Sequence, residues 1–327
     1  MLLISRRTFL CAIALALVGF AAAPAKAGEK LAIAQYGQFM AGFPWLITLK
    51  QGFLKAEGLD IDGFVSSQGG GTSVRNLLAS PLPFGEVASS AAIAAIKEGL
   101  PLVILYGATN HTGEIAWMTL PDKPINSIRD LVGRTVGYTA AKSTTEMLLR
   151  MSLDAAGIPA DKVKLVSTGG LGGGLAALGA GGVDAVPIVE PVLSKSGSKY
   201  KQVFRAAEFV TSLTFAFGVT TPEFVRKNPD MVRKLIKARR NAVDWLYANP
   251  NAAVAICAEY LEIDKELAAR VLPKFIGWRY WSAGDFTKDG LENNIRGLQL
   301  IGAVEGTVDW SKVIDQQFLP ADLRKKL

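Results

Sequence analysis

The stretch SSQGGGTSVRNLL, residues 66–78, decides how the fold is read. A β-rich run at 60–66 ends in three glycines, and a helical pattern starts at Thr72 or Ser73. Gly69, Gly70 and Gly71 carry no Cβ, so the backbone there can turn sharply and approach a ligand closely. Thr72 and Ser73 are N-cap types, and the first turn of such a helix leaves N–H groups without intrahelical partners. Those donors, with the positive end of the helix dipole, make a small anion site. Taken alone, the glycines mark an ordinary β–turn–helix joint. The case for a site rests on the same grammar recurring further along the chain.

Working outward, a strand at 30–36, a glycine- and aromatic-bearing loop at 37–44 and a helix at 45–54 precede the stretch. After its helix (72–79) come a strand at 83–90, a helix at 91–98 ended by Gly99, and a buried strand at 101–108. Strand and helix in alternation predict an α/β fold with a parallel sheet and crevices at the strand C-termini. From Glu114 the chain runs extended to Leu120. A second alternation follows: a strand at 135–139, a helix at 143–156, a strand at 163–167, a glycine-diluted helix at 171–179, and strands at 184–189 and 215–220. It reads as a second α/β unit inserted in the first. Beyond Pro222 the pattern is helical, over 229–246, 250–260, 265–275, 288–302 and 310–318. Residues 194–199, SKSGSK, read as a surface turn.

Residues 1–27 have the form of an export signal. Arg6 and Arg7 supply the basic region, 9–23 the apolar one, and Ala25-Lys26-Ala27 the small residues of a cleavage site before Gly28. SRRTFL at 5–10 resembles the twin-arginine export pattern, with Cys11 where that pattern often has lysine, so the general secretion route stays open. Loss of Arg6, Arg7 and Lys26 lowers the formal net charge from +7 to +4. No basic block interleaved with aromatics marks a nucleic-acid surface. Beyond the signal no apolar run is long enough to span a bilayer. Cys257, the one cysteine beyond residue 27, sits in an apolar helical run and reads as a buried, inert thiol. A chain of this length suits two domains.

Several motifs invite a catalytic reading. Gly172-x-Gly174-x-x-Ala177 fits the dinucleotide fingerprint, with Glu190 where a ribose-binding acid would stand, but it falls mid-chain instead of opening the first βαβ unit. Residues 137–143 resemble a phosphate loop until Lys142 takes the place of the second glycine, leaving a helix start at Ser143 and Thr144. His111 is the only histidine, no Gly-x-Ser-x-Gly elbow occurs, and a zinc or iron site needs more His or Cys ligands than exist. A hydrogen-bonded loop histidine is the expectation. Glu190-Pro191 can bind a ligand ammonium or stop a strand by pairing with a lysine. Trp45 reads as core and Phe39 as cavity wall. Trp278, Tyr280 and Trp281 read as helix packing.

The order of these pieces resembles the periplasmic solute-binding proteins of ABC importers for alkanesulfonates, taurine and nitrate, relatives of the binders of thiamin pyrimidine precursors. The matching phrases are GFLKAEGL at 52–59, the glycine turn and helix at 69–79, Phe84-Gly85, the Gly-Leu-Pro ending of 94–101, IRDLVGRTVG at 128–137, GAGGVDAVPIVEP at 179–191 and TPEFVRKNP at 221–229. Two departures, SPLPF at 80–84 and Arg75, lie beside the expected cleft. The resemblance implies a type II periplasmic binding protein: two α/β lobes joined by two extended crossovers, near 113–118 and 217–221, with a ligand cleft between them. Lobe 1 would comprise 28–115 and 218–327, and lobe 2 would comprise 116–217. The implied ligand-binding set is Gln38, Phe39, Gly70, Gly71, Thr72, Ser89, Ser90, Asn110, Tyr138, Thr139, Ser143, Thr144, Gly170 and Glu190. Hydroxyls, backbone donors and aromatic walls suit a small anionic or zwitterionic organic solute. The implied partners are a membrane permease and its ATPase subunit, with a monomeric receptor in the periplasm, no catalytic residues, no metal and no cofactor. The alternatives are an exported enzyme using the Gly172/Gly174/Ala177 turn with a dinucleotide, a vitamin-precursor binder of the same fold, and a sensor whose ligand is read by a kinase.

Overall fold

Strand and helix alternate from the start of the computed structural model, which describes residues 28–67 and 70–325. The expected export signal and Gly69 lie outside the described residues. The first unit runs β1 (Glu29–Ala34), a 3-10 turn (Met40–Gly42), α1 (Phe43–Lys50), α2 (Phe53–Ala56), β2 (Ile61–Ser67), α3 (Gly71–Ala79), β3 (Phe84–Ala88), α4 (Ser89–Lys97) and β4 (Val103–Thr109). The second runs β5 (Ile115–Thr119), β6 (Thr135–Tyr138), α5 (Thr144–Ala155), β7 (Lys164–Ser167), α6 (Leu171–Gly179), β8 (Val186–Val189), α7 (Val192–Ser196) and β9 (Lys201–Arg205). The chain then returns through β10 (Ala216–Thr220) to α8 (Pro222–Lys227), α9 (Pro229–Ala248), α10 (Pro250–Leu261), α11 (Lys265–Gly277), α12 (Lys288–Leu300) and α13 (Trp310–Val313).

The first sheet has the order β2-β1-β3-β10-β4. It is mixed, where the alternation predicts a parallel one: β1 runs parallel to β2 and β3, and β10 lies antiparallel between β3 and β4. The reason is topological. The chain leaves this sheet at the C-terminal end of β4 and returns at that same end, so the returning strand must run the other way. The second unit holds a three-stranded antiparallel sheet, β8-β5-β9, and a parallel pair, β6-β7, linked by a bridge between Val136 and Ala185.

Residues 110–114 and 206–215 connect the two units. The segments expected as crossovers are for the most part strands: 115–118 pair within β5 and 217–220 within β10. Both strands are apolar because both are buried throughout. The single helix expected over 45–54 is broken into α1 and α2 at Gly52, whose φ is +71°. A strand, β9, stands where the sequence offers no signal, and helix over 310–318 is confined to α13 and a 3-10 turn.

The C-terminal helices reach both units. On the first, α9 packs against α1 and α2. On the second, α12 packs against α5, and α11 touches α7. Gly297 permits the former contact, since a Cβ there would lie 2.3 Å from Met147 Cγ. Two ion pairs join the same surfaces: Lys274 with Glu190 at 2.6 Å, and Arg296 with Asp154.

Candidate functional site

A cavity of about 230 Å³ opens where the two units meet. The first unit contributes Ile33–Gln35, Gln38, Phe39, Ala41, Gly42, Gly70, Glu86–Ala88 and Ser90, with Phe215 and Ala216 at the return to its sheet. The second contributes Thr139–Ala141, Ser143–Thr145 and Gly169–Leu171. Four helices begin at this cavity. Gly70 precedes α3, Ser90 lies in the first turn of α4, Ser143–Thr145 begin α5, and Gly170-Leu171 begin α6. Helix N-termini favour negative charge through their unpaired amides and the macrodipole. Two of the starts depend on glycine. Gly70 has φ +58° and Gly170 φ +134°, conformations that a side chain rarely allows. A Cβ built on either meets nothing within 4 Å.

At the start of α5, Thr139, Ser143 and Thr145 bond one another through their hydroxyls. Thr139 Oγ1 and Thr145 Oγ1 are 2.7 Å apart, Ser143 Oγ and Thr145 Oγ1 2.9 Å, and Thr139 Oγ1 donates to Ser143 Oγ at 3.2 Å. Ser143 also caps the helix by accepting from the Glu146 amide. The wall opposite is the 3-10 turn, which the buried Glu114 holds from behind. Glu114 Oε1 accepts from the Met40 amide at 2.8 Å, and Oε2 accepts from the Tyr280 hydroxyl. Burial pushes the Glu114 carboxyl up to about 8, against the pull of these two bonds. Tyr260 fixes the same wall by donating to the Phe39 carbonyl at 2.7 Å.

Gln38, Phe39, Gly70, Ser90, Thr139, Ser143, Thr144 and Gly170 therefore line one cavity. The other expected residues do not. Gly71 is the first residue of α3, and Thr72 accepts from Arg75 at 3.0 Å on an exposed face. The helix cap is Gly70, not Thr72 or Ser73, and Ser73 is spent on Ser67 at 2.6 Å. Ser89 is buried and donates to Asn294 on α12 at 2.6 Å. Asn110, in the connection, accepts from Thr214 at 3.0 Å. Tyr138 ends β6 without lining the cavity. Glu190 is fully buried, with Oε1 on Lys274 and Oε2 accepting from the Ser194 amide at 3.0 Å. It is a structural pair, free neither for a ligand ammonium nor for a ribose.

Glu86 lines the cavity without belonging to the expected set. A carboxylate inside an apolar strand, FGEVA, is the signal that could have found it. It is the one charged side chain among the described residues lining the cavity, and no Lys, Arg or His joins it there. His111 stacks on Trp278 at 5.3 Å and accepts from the Gly113 amide, and burial with the nearby Arg205 holds its pKa below the usual range. Cys257 is buried in α10, where burial pushes its thiol up to about 12.

This architecture is that of the periplasmic binding proteins. The chain is similar to the periplasmic aliphatic sulphonate binding protein SsuA from Escherichia coli, with a TM-score of 0.73, 17% identity, and coverage of 91% of this chain and 95% of that one. It is also similar to the desulfurization enzyme DSZB, with a TM-score of 0.64, 18% identity, and coverage of 89% and 97%. In sequence, a Brucella abortus (strain 2308) chain described as a binding protein is 27% identical over 227 residues, 67% of each chain. Residues 43–253 match the family described as NMT1/THI5 like, and the chain belongs to that family.

Proposed function

We propose that the chain is an extracytoplasmic receptor that captures a small anionic or zwitterionic organic solute and delivers it to an ABC permease with its ATPase subunit. The observation that carries this reading is the cavity itself, where four helix starts and a hydroxyl cluster converge from two separate sheets. Oriented amides suit a sulfonate-like or carboxylate-like group, and Phe39, Phe215 and Leu171 suit its carbon skeleton. The lobes would divide near 115 and 217, with 110–114 and 206–215 as the joins, and close on the solute. Because the fold also serves a desulfurization enzyme, binding without catalysis rests on this chain's own residues. Its histidine and its buried cysteine both lie away from the cavity lining, so the site offers neither an activated thiol nor an imidazole base.

Mass spectrometry of whatever co-purifies, followed by a thermal-shift screen of sulfonates, carboxylates and vitamin precursors, tests the reading. Free ligand at about a hundred times its Kd should add ~2.7 kcal/mol to stability. A chain that carries no solute and is stabilised by none of these classes is not such a receptor.

A further inference from the structure

We propose that the cavity selects solutes bearing a protonated amine, with Glu86 as the group that accepts its N–H and Ser90 as a second contact. The proposal rests on the receptor reading above and adds the second end of the solute. Glu86 lies on β3 and is only 2% exposed. Its Oε1 is fully engaged, accepting from the Tyr106 hydroxyl at 3.0 Å and from Arg239 Nε. Tyr106 reaches it from β4 across Gly218, where a Cβ would lie 2.0 Å from the ring. Arg239 cannot turn to the other oxygen, because its remaining nitrogens donate to the carbonyls of Ser282 at 2.8 Å and Ala108 at 2.9 Å. Glu86 Oε2 is left buried with no hydrogen bond, and so is Ser90 Oγ at the start of α4.

Buried carboxylate oxygens in that state are costly and uncommon, and both residues line the same cavity. The helix starts of α3, α5 and α6 supply positive potential elsewhere on its wall, while Glu86 Oε2 supplies an acceptor that no donor in the fold reaches. A solute carrying one anionic group and one ammonium matches both. A purely anionic solute has no donor to give Oε2, because the counter-ion of Glu86, Arg239, is engaged at Oε1 and at two backbone carbonyls. Glu190, the carboxylate that the sequence offered for this role, is already paired with Lys274.

Titration calorimetry on the wild-type protein with matched probes decides the matter: 3-aminopropane-1-sulfonate against propane-1-sulfonate, and 4-aminobutanoate against butanoate. The amine-bearing member of the preferred pair should bind roughly tenfold to a hundredfold tighter, as one charge-assisted hydrogen bond implies. Equal affinities within both pairs would overturn the role of Glu86 and leave the receptor reading standing. No binding by any of the four, or by the wider sulfonate and carboxylate screen, would overturn both. Ser90→Ala should weaken the amine-bearing probe several-fold with an unchanged melting curve, because its hydroxyl has no partner in the fold. Unaltered affinity in that variant removes Ser90 from the site. Glu86→Gln should equalise the pair. It also leaves Arg239 buried without its counter-charge, so the wild-type comparison remains the decisive one.

Discussion

At the scale of single residues, one position along the glycine run separates a required glycine from a dispensable one. Gly70 holds φ +58° just before α3, whereas Gly71 is already helical and a Cβ there would only touch the flexible end of Arg75 at 3.4 Å. Gly70→Ala should therefore cost ~1–3 kcal/mol in backbone strain and weaken solute binding by shifting the start of α3. Gly71→Ala should leave binding intact and gain up to about 1 kcal/mol from helix propensity. Chemical denaturation and calorimetry on the two variants check this, and equal behaviour would refute the assignment. Glu114 makes a second residue-scale prediction. Its carboxyl titrates at about 8 in the fold against 4.5 ordinarily, so the folded state keeps a proton that the unfolded chain has released. The resulting stability is present on the acid side and is lost as pH rises from 4.5 through about 8. Melting temperature should fall across that window more steeply in the wild type than in Glu114→Gln. Parallel curves would show that Glu114 does not govern the trend.

At the scale of elements, the helix starts do two different jobs. Those of α3, α5 and α6 face the cavity, but Ser89 at the start of α4 is turned to α12. Its hydroxyl donates to Asn294, whose own amide donates to the carbonyls of Thr214 and Gly290. Ser89→Ala should leave Asn294 Oδ1 buried without that donor, at a cost of ~1–3 kcal/mol, with solute affinity unchanged. Denaturation midpoints together with calorimetry separate those outcomes, and lost affinity at unaltered stability would return Ser89 to the site. Ser90, the next residue, has the opposite profile because the helix rotates it away from α12 and toward the cavity.

At the scale of the whole molecule, the cavity is lined by both units, so neither alone completes it. Ligand should draw them together about 110–114 and 206–215. The contacts of α11 and α12 with the second unit span the same division, so the motion should be modest. Small-angle scattering should show a smaller radius of gyration with saturating solute, and an unchanged value would count against closure. Export belongs to this scale too. Periplasmic protein should have the intact mass of a chain starting at Gly28, and a mass that includes residues 1–27 would refute cleavage there.

Local order is legible in the sequence itself. Apolar alternation, glycine ends and cap residues are properties of neighbours in the chain, so strand and helix follow from them, and so does the likeness to binding proteins. The glycine turns before α3 and α6 belong to the same class, since backbone freedom is set by the residue itself. Pairing is not legible there. The antiparallel place of β10 depends on where the chain re-enters the sheet. Which polar groups are spent depends on distant partners: Ser89 on Asn294, Asn110 on Thr214, and Glu190 on Lys274. Glu86 shows the same limit from the other side. Its neighbours in sequence are apolar, and only the arrival of Tyr106 and Arg239 from other elements shows that one of its oxygens is satisfied and the other is not. The chain's own order settles which elements form, because that physics is local. Which side chains remain free to meet a solute is settled by packing, because hydrogen-bond partners are found through space.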